Sequence, residues 1–322
     1  MIVVVCLNPA LDITHHVPVV DWAGVNRPTA VYARPGGKGT NVARALHSFG
    51  MGIVLLGLAG GTTGRAVDAE LRQLGVPAAL TPVAGETRRT FTVVDGDGRA
   101  ALFNEPGPEV SPAEFARFRL AYGQAVAGAA AVVLSGSLPR GLPATAYADL
   151  IAVAADAGVP AVLDTSGDAL HAGVAAGPAI VQPNLDELRA LAGWSLSAAG
   201  GGVAWAAVQA AAESLRAVGA GAVVVSLGPE GLLAVTADGC WHARPAVERQ
   251  GNATGAGDAV TAALAHGLVL GRSWEDQLRH AVALSAASVE APVAGEFSQA
   301  DYAGGLGAVT VRQVAARQQE AC

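Results

Sequence analysis

The sequence predicts a three-layer α/β/α fold with a mainly parallel central sheet and a small antiparallel β lid. Continuous apolar runs rich in β-branched residues alternate with alanine-rich stretches of helical period, which is typical of a parallel sheet covered on both faces. Two other regions, residues 12–34 and 87–104, alternate apolar and polar residues. Such alternation indicates strands with one face in water, and therefore a separate lid sheet.

The predicted elements follow one another along the chain. Buried strands are expected at "IVVVCL" (2–7), "IVLLGL" (53–58), "AVVLSG" (131–136), "AVLD" (161–164), "AIVQPN" (179–184) and "AVVVSLG" (222–228). Amphipathic helices are expected at "NVARALHSFG" (41–50), "RAVDAELRQLG" (65–75) and "YADLIAVAADAG" (147–158). The lid strands are "DITHHVPVV", "TAVYAR", "TFTVVDGDG" and "AALFNE", with a hairpin turn at Asp97-Gly98.

Composition limits the classes of partner. The 322 residues suit one domain over 1–322, with lid strands inserted from about 12–34 and 87–104. A net charge of −7 without a basic block argues against nucleic acid and against an anionic membrane surface. Three scattered cysteines favour free thiols in a reducing cytoplasm. Residues 190–212 carry no charge, but glycines 200–202 interrupt them, so two helices joined by a turn are expected rather than a membrane span.

The segment "GNATGAGDA" (251–259) is the first candidate for chemistry. Glycines 255 and 257 allow backbone N–H groups to converge before a helix, whose positive end favours an anion. Asp258 in that position makes sense as a base that takes a proton from a hydroxyl attacking a phosphoryl group. The alternative is an aspartate that merely caps the helix.

A second glycine-rich segment, "PGGKGTN" (35–41), permits close backbone approach to a ligand, although it is not a Walker A sequence. A turn with a helix cap would explain its glycines but not Lys38.

Cations on or beside the lid strands are candidates for binding a phosphate of the substrate: Arg27, Arg34, Lys38, Arg88 and Arg89. Each alone would be an ordinary surface residue.

The remaining loops at strand ends suit a nucleotide. In "QPNLDEL", Asn184 and Glu187 share one face of a helix start, a spacing that holds Mg²⁺ through its waters or forms a capping box. "SLGPEG" offers Ser226, Gly228 and Gly231 to a nucleotide edge.

Together these segments resemble the ribokinase-like (PfkB) carbohydrate kinase family over nearly the whole chain. "GGKGTNVA" and "GNATGAGDA" are similar to its two signature regions. "LNPALD", "EPGPEVS", "SGSLPRG" and "QPNLDEL" are similar to the branch of phosphosugar kinases that contains 1-phosphofructokinase, tagatose-6-phosphate kinase and the minor 6-phosphofructokinase.

The resemblance implies a ribokinase-like fold and a role for each matching position. Asp258 would be the catalytic base, with Gly255, Ala256 and Gly257 as the anion hole. The substrate-binding positions would be Asp12, Arg27, Gly36, Gly37, Lys38, Asn41, Arg88 and Ser137. The nucleotide-binding positions would be Asn184, Ser226, Gly228, Gly231, Thr254 and Ser285, and Asn184 and Glu187 would hold Mg²⁺ through water.

Three positions depart from the branch. Gln182 stands where the branch usually has lysine, which removes a cation near the nucleotide. Thr90 replaces an asparagine expected to touch the substrate, and Thr254 stands where valine is common. These departures concern the identity of the sugar rather than the class of reaction.

The predicted function is ATP-dependent transfer of a phosphoryl group to a hydroxyl of a ketohexose monophosphate, with fructose 1-phosphate as the first candidate and fructose 1,6-bisphosphate as its product. Tagatose 6-phosphate, fructose 6-phosphate, an unphosphorylated sugar or a nucleoside are alternative substrates, and a silent sugar-phosphate sensor is an alternative class. ATP and Mg²⁺ are the expected cofactors, with a monovalent cation as a further candidate. The lid is a candidate homodimer interface.

Overall fold

The computed structural model of the protein describes residues 1–193, 196, 203–247, 254–291 and 293–314. The strands are β1 (Ile2–Cys6), β2 (Ala10–His16), β3 (Ala30–Gly36), β4 (Ile53–Ala59), β5 (Ala78–Pro82), β6 (Arg88–Val94), β7 (Ala100–Asn104), β8 (Ala131–Ser135), β9 (Ala161–Asp164), β10 (Ile180–Val181), β11 (Ala222–Ser226), β12 (Leu232–Thr236), β13 (Gly239–Arg244) and β14 (Thr310–Val314). The helices are α1 (Lys38–Ser48), α2 (Gly61–Gln73), α3 (Pro112–Val126), α4 (Ala146–Asp156), α5 (Gly167–Ala175), α6 (Leu185–Ala192), α7 (Trp205–Val218), α8 (Ala256–Val269), α9 (Trp274–Val289) and α10 (Gln299–Leu306).

The large sheet has ten strands within the described residues, in the order β14-β13-β12-β11-β10-β9-β8-β1-β4-β5. The seven strands from β11 to β5 run parallel, and β12, β13 and β14 extend the β11 edge in antiparallel fashion. The mainly parallel central sheet is therefore confirmed. The carboxyl ends of its parallel strands all lie on one side of the sheet, and ligands bind beyond those ends in such sheets.

Strand β1 shows why the domain has three layers. Successive side chains of a strand point to opposite faces, and all five residues of β1 are essentially inaccessible to water. Val3 and Val5 pack into one apolar cluster, with residues of α3 to α7, while Ile2 and Val4 pack into another, with α1, α2, α8, α9 and α10. A strand buried on both faces has no polar alternate positions, which explains its continuous apolar run.

In the part of the chain that the structure describes, the lid is a separate sheet of four strands in the order β3-β2-β6-β7. Its two outer pairs are antiparallel, as predicted, but the central pair β2–β6 is parallel. The reason lies in the connections: β2 follows β1 and β6 follows β5, so both lid strands leave the same edge of the large sheet and run in the same direction.

The hairpin between β6 and β7 closes where the sequence predicts. Asp95 N–H donates to the carbonyl of Arg99 at 3.0 Å, and Gly98 has φ +79°. Glycine suits that left-handed position because it carries no Cβ.

The uncharged stretch 190–212 contains the end of α6 and the first part of α7. Helix α6 ends before Gly193, which has φ +71°, and α7 begins at Trp205; glycines 200–202 lie outside the described residues. Among the helices that the structure describes, none is long and apolar enough to cross a membrane.

Candidate active site

A cavity of about 940 Å³ lies between the lid and the carboxyl edge of the large sheet. The lid contributes polar side chains from β2, β6 and β7. The opposite wall contains Asp164 at the end of β9, Ser226 at the end of β11, and the first residues of α8. The cavity is large enough for two small substrates and lies where parallel sheets bind ligands.

Asp258 occupies the third position of α8 and is 5% exposed. The helix is capped by Gly255, with φ +89°, and no side chain supplies a capping hydrogen bond. The Oδ2 atom of Asp258 instead accepts a hydrogen bond from Asn41 Nδ2, at 2.8 Å across the cavity floor. Asp258 is therefore not the helix cap that the alternative interpretation assumed.

Burial controls the charge of this carboxylate. Desolvation, and then the negative charge of Asp164, raise the pKa of Asp258 to about 7, although Lys38 and the Asn41 hydrogen bond favour the charged form. A carboxylate with a pKa near neutrality accepts a proton effectively at neutral pH.

The start of α8 provides the anion-binding groups beside Asp258. The first N–H groups of a helix have no partner within it and form its partially positive end. Gly255, Ala256 and Gly257 line the cavity together with Asp258. The buried carboxylate is thus adjacent to backbone groups of a kind that can stabilise an anion.

Lys38 lies opposite, at the start of α1. Its Nζ is 2.8 Å from Asp164 Oδ1 and 3.9 Å from Glu187 Oε1. The charge of Asp164 is the largest effect on its pKa, which is raised, so Lys38 is positively charged at physiological pH. Asp164 is 1% exposed; its other oxygen accepts a hydrogen bond from Ser135 and lies 3.3 Å from the Thr261 hydroxyl oxygen.

Asp164 is a functional candidate that the sequence analysis missed. The loop "DTSG" stands at a strand end, but an aspartate there has many structural uses. Its signal would have been a carboxylate closing an entirely apolar strand, since a buried charge requires a partner.

The lid side of the cavity carries Asp12, Arg88 and Thr90. Thr90 Oγ1 donates to Asp12 Oδ1 at 2.6 Å, and burial raises the pKa of Asp12. Arg88 Nε donates to the carbonyl of Asn8 at 3.1 Å. Thr90, the residue that replaces the branch's asparagine, therefore orients a carboxylate that lines the cavity. Asn104, opposite Thr90 on β7, adds an amide that the sequence analysis did not single out.

The other wall carries the predicted nucleotide positions, all of which line the cavity: Asn184, Ser226, Gly228, Gly231, Thr254 and Ser285. Gln182 Nε2 donates to Ser226 Oγ at 2.5 Å, and Gln182 Oε1 accepts from Thr261 at 3.1 Å. Gly231 has φ +87°, and a Cβ there would overlap the carbonyl of Ala243. Gln182, the first of the three departures, is thus hydrogen-bonded to two neutral side chains.

Asn184 and Glu187 form a capping box at the start of α6. Asn184 Oδ1 accepts from Glu187 N–H, and Glu187 Oε2 accepts from Asn184 N–H, both at 2.9 Å. The other carboxylate oxygen, Oε1, faces Lys38, and both residues line the cavity. Among the described residues, no group of three or more His, Cys, Asp or Glu is arranged to hold a metal ion. These oxygen donors fit a hard cation that keeps most of its water shell.

The structure does not bring every predicted position to the cavity. Of the predicted cations, Arg34, Lys38 and Arg88 line it. Arg27 is exposed in the loop between β2 and β3, outside the cavity lining. Arg89 points to the other face of β6, where it pairs with Glu105 at 3.0 Å.

Two further predicted substrate positions, Gly36 and Ser137, are not among the residues that line the cavity. A Cβ on Gly36 would overlap the carboxyl of Asp12. Ser137 is exposed, and its hydroxyl accepts from Asn8 Nδ2 at 3.2 Å.

Comparison with known families and proteins agrees with this geometry. The family profile described as "pfkB family carbohydrate kinase" matches residues 6–300. The 1-phosphofructokinase of Xanthomonas campestris pv. campestris is 37% identical over 272 residues, which are 83% of this chain and 84% of that protein. The 1-phosphofructokinase of Escherichia coli K12 is 33% identical over 285 residues, 88% of this chain and 89% of that protein.

Solved structures are similar as well. Phosphofructokinase-2 from Escherichia coli in complex with fructose-6-phosphate has a TM-score of 0.86 and 32% identity, covering 95% of this chain and 98% of that chain. Ribokinase from Thermotoga maritima, at 21% identity and a TM-score of 0.75 over 95% of this chain and 99% of that chain, shares the fold.

Proposed function

Since the chain belongs to the pfkB family of carbohydrate kinases, we propose that it transfers the γ-phosphoryl group of ATP to a hydroxyl of a ketohexose monophosphate. Fructose 1-phosphate is the first candidate substrate and fructose 1,6-bisphosphate its product, as the names of the 1-phosphofructokinases suggest. The single observation that carries the mechanism is the buried carboxylate of Asp258, with its pKa raised to about 7, beside the open start of α8.

In this mechanism Asp258 accepts the proton of the attacking sugar hydroxyl. Asn41 holds the carboxylate in place through its 2.8 Å hydrogen bond. The backbone N–H groups of residues 255–258 stabilise the charge on the oxygens of the transferring group, because they are oriented before the reaction starts.

The lid residues bind the sugar phosphate. Asp12, oriented by Thr90, accepts hydrogen bonds from sugar hydroxyls, and Arg34 and Arg88 provide guanidinium groups for its phosphate. Lys38, held between Asp164 and Glu187, offsets the negative charge of the reaction centre.

The wall formed by Gln182, Ser226, Gly228 and Gly231 accommodates the nucleotide. A magnesium ion accompanying ATP would neutralise its phosphates, and Asn184 and Glu187 would hold it through water. Because a solved structure of Escherichia coli phosphofructokinase-2 is a complex with potassium, a monovalent cation is a further candidate.

The catalytic part of the proposal is tested with Asp258→Asn. This variant keeps the shape of the side chain and its place beside Asn41 but cannot accept the proton. Turnover in an ADP-release assay should be lost, while binding of ATP, measured by calorimetry, should remain. Turnover close to that of the wild type would exclude Asp258 as the base.

The substrate part is tested by an ADP-release screen over fructose 1-phosphate, fructose 6-phosphate, tagatose 6-phosphate, free hexoses and nucleosides. Arg88→Ala should raise the KM for the phosphosugar strongly. A preferred unphosphorylated substrate with an unchanged KM in Arg88→Ala would favour the second candidate, a kinase for free sugars or nucleosides. No ADP release with any acceptor would favour a sensor.

We further propose that the chain is one kinase domain that dimerises through the outer face of its lid. Exposed apolar side chains concentrate there, at Val19, Trp22, Val25, Val31 and Phe103. Large exposed apolar patches mark interaction surfaces. A second copy on this face would also explain why Arg27 lies outside the cavity of its own chain. Sedimentation of the wild type and of Trp22→Asp tests this, and a monomeric wild type would contradict it.

A further inference from the structure

The search for a second function starts from Arg44, a buried cation that the mechanism does not use. It lies on α1, three residues after Asn41, and is 5% exposed. Its Nη1 donates to the carbonyl of Ala294 at 2.8 Å, and its Nη2 donates to Glu296 Oε1 at 2.7 Å. Burial of a guanidinium is costly unless it is paired and hydrogen-bonded. These two partners therefore hold the side chain of Arg44 in one place.

Both partners of Arg44 belong to the segment 293–297, which lies in the connection between α9 and α10. Gly295 in this segment has φ +75°, and a Cβ there would lie 2.8 Å from Asn41 Oδ1 and 3.1 Å from Arg44 Nη1. The segment therefore lies directly on α1, with no space for a side chain at residue 295.

The opposite side of the same segment contacts the anion hole. A Cβ on Gly255, the cap of α8, would lie 3.0 Å from Ala294 Cβ and 3.2 Å from the backbone nitrogen of Gly295. The segment 293–297 is thus a spacer between α1 and the start of α8. Displacement of the spacer would remove this support from the residue that caps α8.

Glu296 also links the spacer to the lid. Its Oε1 accepts from Arg34 Nε of β3 at 3.4 Å, in addition to its pairing with Arg44. Arg34 lines the cavity on the lid side. One carboxylate is therefore shared between a lid strand and the helix that holds the catalytic base through Asn41.

We infer that Arg44 and Glu296 are positioning residues that hold the spacer 293–297 against Gly255 and so align the anion hole. They touch neither substrate nor the reacting atoms. Arg44 is not hydrogen-bonded to Asp12 or Arg88, so the loss of Arg44 acts through the spacer on the phosphoryl group in transfer. Glu296 also pairs with Arg34, so Glu296→Gln should in addition raise the sugar KM. This inference rests on the proposed function of Asp258 and the start of α8.

The test compares Arg44→Met, Arg44→Lys and Glu296→Gln with the wild type. Preorganised anion-hole donors lose most of their effect when displaced, so kcat in Arg44→Met should fall by about tenfold or more while the sugar KM stays unchanged. Arg44→Lys should recover part of the loss, because a lysine can still donate to the Ala294 carbonyl. The double variant Arg44→Met/Glu296→Gln should have a kcat no lower than that of Arg44→Met, because both residues act on kcat through the same segment.

A second readout does not depend on the sugar. The affinity ratio of the non-hydrolysable analogue AMP-PNP to ADP, measured by calorimetry, reports contacts made by the γ-phosphate. It should fall in Arg44→Met and Glu296→Gln. If the wild type turns over no phosphosugar, the proposed substrate fails, whereas this ratio still tests the inference.

The control is Glu275→Gln, which breaks an exposed pair with Arg279 on α9 at 2.7 Å. It should leave kcat and the nucleotide affinity ratio unchanged. Folding is checked by circular dichroism, and if Arg44→Met does not fold, Glu296→Gln, which is half-exposed, carries the test. A folded variant with wild-type kcat and a wild-type affinity ratio would overturn the inference.

Discussion

Replacing Asn41 with alanine tests how the pKa of the proposed base is maintained. The Asn41 amide donates to Asp258 Oδ2 at 2.8 Å in a buried site, and it favours the charged carboxylate. Removing a donor to the charged form raises a pKa. Asn41→Ala should therefore shift the acid limb of the pH–rate profile to higher pH.

The size of this shift follows from the hydrogen bond. A hydrogen bond to a charged group contributes about 1.5–3 kcal/mol, and one pKa unit corresponds to about 1.4 kcal/mol, so the pKa should rise by about 1–2 units. The wild-type carboxyl, with a pKa of about 7, is half deprotonated at neutral pH. In the variant the deprotonated fraction at pH 7 should be about 5- to 50-fold lower.

The assay measures kcat/KM for the phosphosugar by ADP release from about pH 5.5 to about pH 10. This range covers the pKa of Asp258 in the wild type and the higher pKa expected in the variant. Activity should be lost as pH falls through the pKa, and the variant should recover at alkaline pH. Asn104→Ala is the control, since it removes a cavity-lining amide on β7. An acid limb that does not move in Asn41→Ala, or that moves equally in Asn104→Ala, would refute this account.

Three further predictions concern the lid and the stability of the fold. Gly36→Ala should raise the sugar KM at least about tenfold, because a Cβ there overlaps Asp12 and a displaced carboxylate loses its substrate contacts; unchanged initial-rate kinetics would contradict it. Thr90→Val removes the 2.6 Å hydrogen bond to Asp12 and should weaken sugar binding by about tenfold, while Thr90→Ser should restore it, as measured by KM. Ser111→Ala removes the capping box of α3, in which Glu114 is the reciprocal partner, and should lower the free energy of unfolding by about 1 kcal/mol in urea titrations, with kcat unaffected.

The fold could be predicted because periodicity is a local property. Each buried strand stands out as an apolar run, and the lid strands stand out by their alternation. The parallel β2–β6 pair could not be predicted, since pairing between strands about 80 residues apart depends on where the chain leaves the large sheet. Local pattern thus identifies elements, while their partners follow from topology.

The candidate site shows the same division. Asp258 and the glycines before it were identifiable from a single loop. The hydrogen bond that Asp258 accepts from Asn41, however, joins residues 217 positions apart in the sequence. The burial that sets the pKa of Asp258 is likewise a property of the assembled cavity. Arg88 and Arg89 are neighbours in sequence, yet strand alternation directs one to the cavity and the other to Glu105.

The arrangement of the lid has a mechanical consequence. Its strands join the large sheet at their Asp12 and Arg88 ends, whereas Asp97 and Gly98 form the far tip, and all four residues line the cavity. Seven residues of β6 extend for about 20 Å, so under the proposed function the tip of the lid lies far from the residues that would bind the sugar. A rotation of the lid about the Asp12 and Arg88 ends would move the tip through a long arc, while those two residues moved little. Under the proposed function, a sugar bound at Asp12 and Arg88 would keep its contacts while the tip of the lid moved. Closure of the tip would then enclose the space beside the proposed nucleotide wall without displacing the sugar.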